Sequence, residues 1–215
     1  MKKFMMLLLT AFIFVTGTSA FANEVDCTSM ANALMVYKIV NGYEDGELHL
    51  DNNLTRAEAV TIICRLLSVE PAEDTNCVFT DVEHNFWAKN YIVSAFQNGL
   101  VDGCGDNLFK PNNNITYAEI TKMIVTALGY TPRAKELGTY PSGYENAAKE
   151  MGILNGIIYR SSELITRDDM VKLVYAALDT PIMQQTSFGA DAGYTVMDGN
   201  NGTPMITLRR ILEEK

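Results

Sequence analysis

An all-α fold of three tandem helix-loop-helix repeats is predicted by three observations on the 215-residue sequence. A tetrapeptide frame recurs three times, an apolar stripe at helical spacing follows each copy, and an apolar-apolar-Asn/Asp-Gly block precedes each. The frame reads Thr55-Arg56-Ala57-Glu58, Thr116-Tyr117-Ala118-Glu119 and Thr166-Arg167-Asp168-Asp169. A Thr hydroxyl can accept from an early backbone N–H while an acid three residues on reaches back, so each copy predicts a capping box and a helix start. Apolar residues then fall at offsets 4, 7, 8, 11 and 12 from each Thr: Ala59, Ile62, Ile63, Leu66 and Leu67; Ile120, Met123, Ile124, Ala127 and Leu128; Met170, Leu173, Val174, Ala177 and Leu178. Such spacing lies along one helical face, which is expected in the core.

Taken in order, the chain opens with Lys2 and Lys3, an apolar run from Phe4 to Val15 and the A-x-A site Ala20-Phe21-Ala22. That pattern predicts a cleaved signal peptide at 1–22, since the run is shorter than the ~20 residues a membrane span needs. No second run is long enough to span, so an exported mature chain without a transmembrane segment is expected. The first repeat is placed at 23–67, a linker at 68–78, the second repeat at 79–128, a linker at 129–139, the third repeat at 140–178 and a tail at 179–215.

Within each repeat the second shared block is Ile39-Val40-Asn41-Gly42, Leu100-Val101-Asp102-Gly103 or Ile153-Leu154-Asn155-Gly156. Another helix is expected before it, clearest where Trp87, Tyr91, Ile92, Ala95 and Phe96 make an apolar face. Gly99 and Gly152 supply left-handed C-terminal caps, with Lys38 in the corresponding place of the first copy. Helix pairs this short cannot bury a face alone, so the three must pack on one another. In the tail, Tyr194–Met197, the turn Asp198–Gly202 and the segment from Met205 to Ile211 predict a small hairpin followed by a short charged helix.

Composition narrows the function. The formal charge is −9, from 26 acidic and 17 basic residues, and becomes −11 once Lys2 and Lys3 are removed with the leader. No Lys/Arg block offers a cationic surface to nucleic acid or anionic membrane. With only His49 and His84 present, no His-based metal site, nucleophile–His pair or zinc motif is expected, and no catalytic residue, metal or cofactor is assigned. Asp198 and its neighbours lack EF-hand spacing and read as a turn. Cys27, Cys64, Cys77 and Cys104 allow three full pairings in an oxidising compartment. Repeat logic favours Cys27 with Cys64 and Cys77 with Cys104, and a fully reduced set is the alternative.

The second copy, Phe79-Thr80-Asp81-Val82 through Trp87, Ile92, Ala95, Gly99, Gly103, Phe109-x-Pro111 and Ile115-Thr116-x-Ala118-Glu119, resembles the S-layer homology repeat of bacterial cell-envelope proteins. The likeness runs from about Met30 to Leu178 as three units. It implies a pseudo-threefold bundle that holds exported proteins non-covalently at the cell wall or S-layer. The partner it implies is a secondary cell-wall polysaccharide, often pyruvylated, bound in grooves between repeats. Departures include the missing Phe-x-Asp and Trp opening of the first copy, Tyr117 in place of Arg, and Asp168-Asp169 in place of Ala-Glu.

The candidate binding residues are Arg56, Arg167, Trp87, Asp81, Gly42, Gly103 and Gly156. A cation in the first turn of a helix opposes the macrodipole by roughly 0.3–1 kcal/mol. Arg56 and Arg167 therefore invite a reason, either a carboxylate ligand held by two parallel bonds or pairing with Glu58 or Asp169. Unfilled N–H groups at the same helix starts would favour an anion further. Trp87 is expected in the core or on a groove wall, Asp81 as a cap for the helix containing Trp87 or a residue that shapes a groove, and the three glycines at positive φ and close backbone approaches. An anionic ligand on an acidic chain requires local recognition rather than bulk attraction. The competing classes are a protein–protein adaptor among other envelope proteins and an exported hydrolase using a carboxylate pair.

Overall fold

The computed structural model describes residues 26–73, 76–187 and 192–215, so the signal segment expected at 1–22 lies outside the described residues. Its elements in chain order are α1 (Cys27–Val36), α2 (Arg56–Leu66), α3 (Lys89–Gln97), α4 (Tyr117–Ala127), α5 (Thr131–Leu137), α6 (Ser142–Glu150), α7 (Arg167–Asp179), β1 (Met183–Gln185), β2 (Tyr194–Val196) and α8 (Leu208–Glu213). The fold is mainly helical, as the periodicity predicts.

The Thr frame starts helices as capping chemistry requires. Complete capping boxes open α2 (Thr55 with Glu58) and α4 (Thr116 with Glu119). Thr166 caps α7 by accepting from the Asp169 N–H, but the Asp169 carboxylate is engaged by Tyr117 and Lys172 instead of reaching back. Thirteen of the fifteen stripe residues are buried, and Leu67 and Ala127 pack at the core's edge. Gly99 (φ 67°), Gly152 (φ 75°) and Lys38 (φ 57°) take the left-handed conformation that ends the first helix of each copy.

Helices pack across copies: α2 on α3, α4 on α6, and α7 back on α1. The extended residues before the three Thr meet at the centre. Leu54 N–H donates to Ile165 O (3.1 Å), Ile165 N–H to Ile115 O (3.0 Å) and Ile115 N–H to Leu54 O (2.9 Å), closing a ring of three fully buried residues. Buried backbone must be paired, and here each segment satisfies its neighbour.

The segment 129–139, read as a linker, contains α5, which packs against α6. In the tail, β2 pairs antiparallel with β1, Met183 opposite Val196, an additional strand beyond the predicted hairpin. The turn at 198–202 is closed by the Asp198–Met205 bridge, and α8 follows. Tyr130 Oη donates to Pro181 O (3.0 Å), Arg209 pairs with Asp179 (2.6 Å) and Tyr37 Oη donates to Glu213 (2.9 Å), which fastens the tail to the repeats.

The favoured disulfides are not formed: all four cysteines are free. Cys27 donates to Asp168 O, Cys64 to Tyr91 O and Cys104 to Phe109 O, so these thiols are directed at separate carbonyls. Burial pushes Cys27 and Cys64 up to about 12, which keeps them as thiols near neutral pH.

Candidate functional site

The helix starts are stitched together instead of open to a ligand. Arg56 N–H donates to Asn113 O and Ala57 N–H to Pro111 O; Tyr117 and Ala118 donate to Glu163 O and Ser161 O; Arg167 and Asp168 donate to Asn52 O and Leu50 O. The N–H groups expected to favour an anion are therefore filled by carbonyls of the neighbouring copy, and the third by the capping Thr.

Side chains repeat the same cycle. Arg56, 6% exposed, donates through Nε to Phe109 O (2.9 Å), pairs through NH1 with Glu119 (2.7 Å) and lies over the Phe109 ring (4.9 Å). Arg167, 5% exposed, donates through Nε to Leu48 O (2.9 Å) and NH2 to Asn41 O (3.1 Å), pairs through NH1 with Glu58 (3.5 Å) and covers Tyr43 (4.6 Å). Tyr117 closes the cycle by donating to Asp169. The residue after each Thr thus holds the acid of the next copy's frame. Neither Arg pairs with the acid of its own helix start, Glu58 for Arg56 or Asp169 for Arg167: Arg56 takes Glu119 and Arg167 takes Glu58, each from another copy.

Two equivalent cavities open beside these pairs. One, of about 240 Å³, is bounded by Asn41, Gly42, Tyr43, Arg65, Trp87 and Arg167, with Glu58 on its floor. The other, of about 230 Å³, has Asp102, Gly103, Tyr140, Arg56 and Glu119 in the matching places, and Lys122 where the first has Thr61. Trp87 and Tyr140 each stand twelve residues before the left-handed glycine, Gly99 or Gly152. The same count from Lys38 reaches Asp26, so the third junction has an acid where the others have an aromatic. There Lys172 is held by both Asp168 and Asp169.

Trp87 precedes α3 and is 58% exposed, so it forms a groove wall and not core. Asp81 does not cap that helix: its oxygens accept from Phe109 N–H (2.8 Å) and Lys110 N–H (2.7 Å), pinning the loop that carries Arg56's carbonyl acceptor. Only Gly156 of the three turn glycines has positive φ (78°). Gly42 and Gly103 are close approaches: a Cβ would lie 3.2 Å from Gly46 O in the first and 2.7 Å from Phe79 Cε1 in the second.

Sequence reasoning missed Arg65, Lys122 and Tyr43. Lys122 pairs with Asp102 (2.6 Å) and faces Tyr140 (5.7 Å), while Arg65 lies over Tyr91 (5.6 Å). Neither belongs to the repeated frame, and the only available signal was a position flanking the apolar stripe. Among the described residues no cluster of His, Cys, Asp and Glu suits a metal ion, and no helix is long and apolar enough to cross a membrane.

The S-layer homology domain family matches residues 33–60 and 78–121. The chain is 33% identical over 183 residues to a middle cell wall protein of Brevibacillus brevis, covering 83% of this chain and 17% of that protein. It is 30% identical over 175 residues to a cell surface protein of Thermoanaerobacter kivui, covering 78% of this chain and 22% of that one. It is 28% identical over 158 residues to the exoglucanase XynX of Acetivibrio thermocellus, covering 66% of this chain and 14% of the enzyme. The chain thus spans less than a quarter of these relatives' length.

Proposed function

This chain is an S-layer homology domain protein, and from that premise we propose that it attaches to the bacterial cell wall by binding an anionic, pyruvylated wall polysaccharide in the grooves between its repeats. The observation that carries the reading is the groove at Trp87, where an exposed indole lines one cavity together with Gly42, Arg65 and Arg167. An indole face suits the apolar side of a sugar ring, and guanidinium suits a carboxylate. The Tyr140 groove is the second site, with Lys122 as its accessible cation. The third junction, acidic and without the aromatic, does not bind.

Relatives with names as different as a cell wall protein and an exoglucanase share this stretch, which supports attachment over any one enzyme's chemistry. Glu58 and Glu119 each serve a Thr cap and an Arg, which supports binding over carboxylate-pair hydrolysis. Cell-surface placement follows from the same relatives. Sedimentation with purified sacculi tests the reading. The protein is expected to pellet with polymer-bearing sacculi and to lose at least tenfold in affinity when the polymer is stripped or Trp87 becomes Ala; equal binding to stripped sacculi overturns it.

A further inference from the structure

We propose that the Trp87 groove continues past Arg65 into a second sugar subsite, so that this groove reads an anionic glycan over at least two residues with Arg65 holding an acidic group at the junction. The inference rests on the wall-binding reading above. A second cavity, of about 390 Å³, is lined by Tyr37, Lys38, Asn41, Arg65, Glu70 and Tyr91, among others. Asn41 and Arg65 line both cavities, so their side chains form the partition between them. The Trp87 cavity alone falls below the ~300–1,000 Å³ of typical small-molecule sites, and the joined space falls within it.

Arg65 differs from the two buried arginines in what it has left to give. With the Asn41 amide oriented to satisfy both its atoms, Oδ1 accepts from Arg65 NH1 at 3.2 Å, and the guanidinium rests over Tyr91. No carboxylate pairs with it among the described residues, and it is half-buried. Its place in the last turn of α2 suits the helix dipole whatever it binds, and it borders both cavities. Lys38 is exposed and lines the second cavity but not the first, also without an ion pair among the described residues. The acids nearby are Glu58, already held by Arg167, and Glu70 on the rim.

The repeat register shows that this extension belongs to one groove. Arg65 lies ten residues after Thr55, where the second copy has Thr126, and Lys38 occupies the place of Gly99. In the Tyr140 groove the accessible cation is already paired with Asp102. A two-residue anionic ligand is thereby directed to the Trp87 groove.

Two probes test this on the full chain: a methyl hexopyranoside carrying a pyruvyl ketal, and a disaccharide carrying the same ketal. Trp87, the single tryptophan, reports binding through its emission, calorimetry gives the affinity, and thermal melting checks folding. The disaccharide is expected to bind at least tenfold tighter than the monosaccharide. Arg65→Gln should lose at least tenfold for the disaccharide, Arg65→Lys should recover part of it, and Lys38→Gln should remove the disaccharide's advantage while leaving the monosaccharide unchanged. Equal affinity for both probes, with folded Arg65→Gln binding like wild type, overturns the second subsite. If wild type fails to sediment even with polymer-bearing sacculi, the wall-binding reading itself falls.

Discussion

Replacing Arg56 by alanine is expected to cost about 3 kcal/mol, near the lower end for breaking a buried ion pair, because Glu119 keeps 31% side-chain exposure. For a chain of this size that lowers the melting midpoint by about 6–12 °C. The loss has three parts on one side chain: the Glu119 partner, the Phe109 carbonyl left without its Nε donor, and the ring face left uncovered. Because Arg56 and Glu119 belong to different copies, their contact fastens one copy to the next. A double-mutant cycle of Arg56→Ala with Glu119→Gln should show coupling of about 1 kcal/mol or more. Arg160→Ala is the control: its pair with Glu163 is exposed on both sides and should be worth little. Melting of Arg56→Ala within 2 °C of wild type, an order-of-magnitude limit set by ~2–4 °C per kcal/mol, would contradict the stitched arrangement.

Gly129→Ala should release the tail. Gly129 has φ 85°, and a Cβ there would lie 2.1 Å from Met183 O, closer than real side chains approach backbone. The left-handed conformation alone costs an alanine about 1–2 kcal/mol, and relieving the clash requires β1 to move, which strains the Met183 N–H bond to Leu128 O (2.9 Å). Amide exchange should accelerate at Met183 and at the linked Ile182, Met197 and Ile206 amides, while the central ring at Leu54, Ile115 and Ile165 keeps its protection. Unchanged exchange at those tail amides would show that β1 does not depend on this contact.

Helix starts and stripes were legible in the sequence because capping and amphipathic spacing are local. Thr55 and Glu58 find each other within one turn, and no knowledge of the rest of the chain is needed. The partner of Arg56 was not legible, since Glu119 lies 63 positions away and only the cyclic packing of the copies brings it near. The same long-range closure fills the helix-start N–H groups that local reasoning left open to an anion. For Trp87 the sequence left core and groove wall both open: it precedes α3 instead of lying on it, so it leaves that helix's apolar face and lines the groove. Asp81 resembled a cap locally but reaches a loop 28 residues on. Arg65 and Lys122 carry no motif, and only the cavities they border single them out.

The most direct measurement of the central claim is an amide and indole chemical-shift titration of the protein with polymer released from the cell wall. Saturable shifts are predicted at Asn41, Gly42, Tyr43 and the Trp87 indole, weaker ones around Gly103 and Tyr140, and none around Gly156. Shifts centred on Gly156 and Lys172, or none at the Trp87 indole at saturating polymer, would contradict it.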